Sequence, residues 1–142
     1  MVSIQALVPD IQLVMRYAGR DNFVGRPIVG YEAPRCYLLR PVAEALQRVE
    51  MALRPQGLRL QIFDCYRPVR AVRDFVAWAG DLQDQRTKAE FYPNLPKTAL
   101  VPDYIAEHSG HSRGATLALT LLRCDSSGAR SAGSDIGSGL EF

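Results

Sequence analysis

Between Pro41 and Gly80 the chain carries a helix-period stripe, an alternating run and a second helix-period stripe in succession. That order narrows the folds open to it. Apolar residues fall at Val42, Ala45, Leu46, Val49, Ala52 and Leu53, the spacing of an amphipathic helix that buries one face. Pro41 suits a first helical turn, and Gly57 follows the helix's expected end. Leu58-Arg59-Leu60-Gln61-Ile62-Phe63 then alternates apolar and polar, which predicts a strand. A second helix is expected to open at Pro68, bury Val69, Val72, Val76 and Ala79, and stop near Gly80, with Phe75 and Trp78 in the core. Helices and strands mix without a repeating βαβ unit. The expectation is an α+β fold with a mixed or antiparallel sheet packed by helices.

The flanking stretches are less regular. Asp81 to Glu90 is polar and compatible with a helix. Tyr92 to Pro102 carries three prolines and is expected to be a surface loop. Thr116 to Leu121 alternates again. It predicts a strand with Leu117, Leu119 and Leu121 on the core face and Thr116, Ala118 and Thr120 on a more polar one. From Asp125 to Phe142, eleven of eighteen residues are Ser, Gly or Ala. Such a stretch buries too little apolar surface to offset its ordering entropy. The expected organisation is one domain over residues 1–123 and a flexible tail over 124–142.

A net charge of +2 gives no electrostatic ground for nucleic-acid or membrane-surface binding. No apolar run approaches the length of a membrane span, and residues 1–10 do not have the pattern of a signal peptide. Cys36, Cys65 and Cys124 are odd in number and lack a Cys-x-x-Cys pair, which argues against a disulfide framework and a structural zinc site. They are expected to be buried thiols in the cytoplasm.

Four stretches carry a resemblance. They are Asn22-Phe23-Val24-Gly25-Arg26-Pro27 with Gly30-Tyr31-Glu32; Phe63-Asp64-Cys65-Tyr66-Arg67-Pro68; Lys88-Ala89-Glu90-Phe91-Tyr92-Pro93; and Ser109-Gly110-His111-Ser112-Arg113-Gly114. In that order, across residues 9 to 123, they resemble the D-alanyl-D-alanine dipeptidases, zinc enzymes that include the vancomycin-resistance dipeptidases. The resemblance implies the zinc DD-peptidase/dipeptidase fold, hydrolysis of a small dipeptide from the cell-wall precursor pool, and zinc as cofactor. It implies His111 as the first metal ligand and Arg67 as the arginine that steadies the transition state. It also implies Tyr17, Tyr31 and Ser109 as substrate-pocket residues. Zinc with three protein ligands keeps a position open for water and lowers that water's pKa. A fixed guanidinium stabilises charge that develops only in the transition state.

Two departures qualify this. The family's aspartate ligand falls on Ala118, which has no donor atom. The family's later histidine and glutamate base have no counterpart, since the histidines here are His108 and His111 alone and only Glu141 follows Glu107. His108, three residues before His111, is a possible second donor, and Cys124 or Asp125 another if the chain folds back. The expectation is a C-terminally truncated dipeptidase with little or no activity, prone to self-association through an uncovered sheet edge. The alternative is a non-catalytic binder of D-Ala-D-Ala-like ligands, or a non-functional fragment.

Overall fold

The structure, a computed structural model, describes residues 1–124 and 130–132. Two short strands, β1 (Val2–Ser3) and β3 (Tyr37–Leu38), pair antiparallel. The main sheet has the order β2-β4-β5-β6, from β2 (Gln12–Leu13), β4 (Leu58–Asp64), β5 (Ala118–Cys124) and β6 (Arg130–Ala132). Strand β2 runs parallel to β4 and the other pairs are antiparallel, so the sheet is mixed. Helices α1 (Arg40–Leu53), α2 (Val69–Gly80) and α3 (Lys88–Phe91) complete an α+β fold.

Local signals place the central elements well. Proline occupies the first turn of α1, and Gly57 ends the following 3-10 turn with φ 71°, a left-handed conformation open to glycine. Pro68 precedes the first residue of α2. The buried faces differ from the apolar count. Helix α1 buries Ala43, Leu46 and Glu50, while Val49 is exposed. The Glu50 carboxylate accepts from the Leu60 N–H at 2.8 Å and from Arg59 Nε at 3.1 Å, and Arg54 adds a longer contact. A buried charge persists because it is paired and hydrogen-bonded. Helix α2 buries Val72 and Ala79 as expected, with Ala71, Phe75 and Trp78, but Val69 lies on the solvent side at 54% exposure.

Three other expectations are corrected. Tyr92 and Leu100 are fully buried and Lys97 nearly so. The 92–102 stretch is therefore a packed connection rather than a surface loop. Lys97 Nζ donates to the carbonyls of Asp81 and Asp84, both at 2.6 Å, and lies 4.0 Å from the centre of the Trp78 ring. On β5, Leu119 and Leu121 pair in register with the buried Ile62 and Leu60 and share their face of the sheet. Both are nevertheless 43% exposed. Leu122, on the opposite face, is buried.

Cys36 and Cys65 form a disulfide with a Cα–Cα distance of 5.3 Å across 29 residues of sequence, and both are fully buried. The β3 segment brings them together: Tyr66 N–H donates to Tyr37 O at 3.0 Å, beside the end of β4. This pairing removes the free-thiol argument for a reducing compartment. Among the described residues no helix is long and apolar enough to cross a membrane. Of the expected tail, residues 130–132 pair with β5 as a strand, and the rest beyond Cys124 lies outside the described residues.

Candidate functional site

The site forms where three chain segments are laced by backbone bonds. Leu39 N–H donates to Gly114 O at 2.9 Å, Tyr66 N–H to Tyr37 O at 3.0 Å, and Arg67 N–H to His111 O at 3.2 Å. Strand β4 is irregular between Ile62 and Asp64, so Asp64 faces Ala118 of β5 after the register shift. Such a bulge re-aims side chains at a strand end.

Asp64, 2% exposed, is the hub. Its Oδ1 accepts from Tyr31 Oη at 2.8 Å and from the Cys65 N–H at 2.9 Å. Its Oδ2 accepts from Arg67 NH2 at 2.7 Å and from Arg67 Nε at 3.2 Å. The Arg67 guanidinium lies 5.4 Å from the Tyr17 ring centre and 5.0 Å from that of Phe75, so it is oriented by aromatic contacts as well as by charge. Burial alone would lower the Arg67 pKa, but the Asp64 carboxylate together with Tyr17 and Tyr31 outweighs it, and the group stays charged. Burial and then the Asp64 charge push the Tyr31 phenol well above its ordinary range, so it remains a donor.

His111 sits in the 3-10 turn Gly110–Arg113, and its backbone N–H is capped by Ser109 Oγ at 3.2 Å. Its Nδ1 lies 2.9 Å from Cys65 O and 3.7 Å from Asp64 Oδ2. An Nδ1–H donated to that carbonyl leaves Nε2 as the nitrogen available to a ligand.

Arg67, His111, Asp64, Tyr17 and Ala118 line one cavity of about 190 Å³, with Arg16, Phe63 and Phe91 among its other walls. The structure thus brings His111, Arg67, Tyr17 and Ala118 to one place. Tyr31 stands behind, its ring 5.4 Å from that of Tyr17 and its hydroxyl on Asp64. Ser109 is engaged as a cap and does not line the cavity. In the sequence Asp64 carries no assigned role. The visible signal was its place in the Phe63–Pro68 motif, but its burial required the fold. Asn22 lies within a motif but has no role that its sequence position reveals, and Arg16 lies outside all four stretches.

Zinc, which the resemblance implies, does not fit the donors present among the described residues. His111 is the only imidazole on the cavity, Ala118 offers a methyl group, and His108 is exposed. The Asp64 oxygens are already committed to Arg67, Tyr31 and the backbone. Among the described residues no three His, Cys, Asp or Glu side chains are grouped to hold a metal ion.

Comparison with known proteins supplies a frame for this geometry. A family model described as D-ala-D-ala dipeptidase matches residues 1–138. A D-alanyl-D-alanine dipeptidase of Enterococcus faecium is 38% identical over 120 residues, which cover 84% of this chain and 59% of that protein. One from Streptomyces coelicolor is 41% identical over 119 residues, covering 83% and 59%. One from Escherichia coli is 30% identical over 121 residues, covering 85% and 53%. The chain therefore spans less than two thirds of the length of these relatives.

Proposed function

We infer the function of this chain from its membership: it belongs to the D-ala-D-ala dipeptidase family. Its proposed role is to hold a small dipeptide of the D-alanyl-D-alanine type in the cavity beside Arg67 and His111. Arg67 is proposed as the transition-state arginine, Tyr17, Tyr31 and Ser109 as residues that shape and support the pocket, and His111 as the position of a metal ligand. The family-level reaction is hydrolysis of the dipeptide.

For this chain by itself we propose that hydrolysis is absent or very low and that ligand binding persists. The observation that carries this reading is the contrast within one cavity. The charged, aromatic-braced Arg67–Asp64 pair is complete, while the position facing Asp64 across the strands is Ala118. General-base help alone contributes about 10²–10⁴-fold in rate, and losing an activated water costs more. The test is twofold. Turnover of D-Ala-D-Ala with added zinc should stay far below about 1 s⁻¹, the low end for ordinary enzymes. Calorimetry should detect D-Ala-D-Ala in preference to the L,L isomer. Metal-dependent turnover at an enzyme-like rate would overturn the inactive reading. Absence of binding to either isomer would leave a fragment without ligand function.

Self-association is part of the proposal. The exposed Leu119 and Leu121 support it, as apolar surface on a strand near the edge of the sheet.

A further inference from the structure

Among the described residues, two guanidiniums line the cavity, and they are used differently. Arg67 is bound to Asp64 through two hydrogen bonds. Among the described residues the carboxylate paired with Arg16 is that of Asp21, at 4.0 Å, and both side chains are open to solvent at 48% and 74%. A contact of that length and exposure leaves its charge essentially uncompensated.

The backbone beneath Arg16 is nevertheless fixed. Arg16 N–H donates to Val14 O at 3.0 Å, and its carbonyl accepts from the Gly19 N–H at 3.0 Å and from Asn22 Nδ2 at 3.1 Å. Asn22, buried, shares its two amide hydrogens among the Arg16, Gly19 and Arg26 carbonyls and accepts from the Val24 and Gly25 N–H groups. Its side chain thereby holds the whole turn that mounts Arg16. From this mount the guanidinium reaches to 6.0 Å from the centre of Phe63, a cavity wall. The Tyr31 hydroxyl donates to Asp64 and is not open to an anion, and Ser109 does not line the cavity.

We propose that Arg16 reads the free carboxylate of the bound dipeptide and so makes the site selective for ligands with an unblocked C-terminus. The inference rests on the dipeptide reading above. A guanidinium fork matches a carboxylate in two parallel hydrogen bonds, which an uncharged terminal amide cannot accept in the same way. Arg16 is thus a specificity-determining residue, while Arg67 remains held against Asp64.

The test uses the full chain with D-Ala-D-Ala, its C-terminal amide and N-acetyl-D-alanine. Calorimetry should show the acid binding about tenfold more tightly than the amide. Arg16→Gln should reduce acid affinity to the amide level and leave amide affinity unchanged, and Arg16→Lys should retain part of the preference. Coincident thermal melts would show that the variants fold. Equal wild-type affinities, or an equal loss of both ligands in Arg16→Gln, would overturn the proposal. If neither dipeptide binds, the dipeptide reading fails separately, and the Arg16 Nε–H resonance decides the carboxylate claim. A shift on titration with N-acetyl-D-alanine that its amide does not produce would uphold carboxylate reading, and no shift would refute it.

Discussion

Replacing Asp64 with asparagine tests the central pair directly. The change keeps the shape of the side chain and removes its charge. The Arg67 side chain is 12% exposed and that of Asp64 only 3%, with a 2.7 Å contact between them. In Asp64→Asn one oxygen becomes an NH2 group that must face either the Arg67 guanidinium or the Tyr31 hydroxyl and Cys65 N–H, all donors. Removing one partner of a buried pair costs about 3–5 kcal/mol, mostly from the charge left uncompensated. Because asparagine still accepts through one oxygen, the low end, about 3 kcal/mol, is expected. With a urea dependence of about 1–3 kcal/mol per molar, the unfolding midpoint should fall by roughly 1–3 M. The assay is urea denaturation of wild type, Asp64→Asn, Arg67→Met and the double variant. Coupling between the two sites should reach about 2 kcal/mol, since losing both charges is less harmful than losing one. A loss below about 1 kcal/mol with no coupling, as for an exposed ion pair, would refute the buried-hub reasoning.

Four further outcomes follow from the same structure. Ala118→Asp, on the cavity wall with His111, should raise zinc affinity in a titration without restoring turnover, because a carboxylate adds a donor and a compensating charge; equal zinc affinity would show that this wall is not the metal position. Cys36→Ser/Cys65→Ser opens a loop closed across 29 residues and should cost about 3–4 kcal/mol by loop entropy, so an unchanged melt would argue against the disulfide. Arg26 holds the Asp74 carboxyl below its ordinary range, chiefly by hydrogen bonding; with the folded pKa depressed, this stabilisation is full above the unfolded value near pH 4 and is lost as pH falls through the folded one, so Asp74→Asn should flatten the acid limb of a stability–pH curve, and an unchanged limb would exclude the pair as its source. Leu119→Lys/Leu121→Lys should lower the weight-average mass in light scattering if the exposed leucine face drives association, and an unchanged mass would place any contact elsewhere.

The elements that sequence determined are those whose signals are local. Helix α1, strand β4 and helix α2 follow from periodicity, from Pro41 and Pro68 and from Gly57, because backbone preferences act over a few residues. The family resemblance likewise implies a shared site for Arg67, His111 and Tyr17, and these three line one cavity. Periodicity names the faces of an element but not what covers them. Leu119 and Leu121 share the face of Ile62 and Leu60 and still meet solvent, while Glu50 is buried because Arg59 and the Leu60 N–H lie opposite it. The same limit hid the packed stretch from Tyr92 to Leu100, whose prolines suggested a surface loop.

Only the tertiary structure joined Cys36 to Cys65, turned Asp64 from a neighbour of Arg67 in sequence into a buried hub, and set Arg16 on a turn locked by Asn22. Each depends on contacts between residues far apart in the chain. Charge burial and disulfide pairing are properties of such contacts, and a local pattern carries no record of which distant partner will arrive.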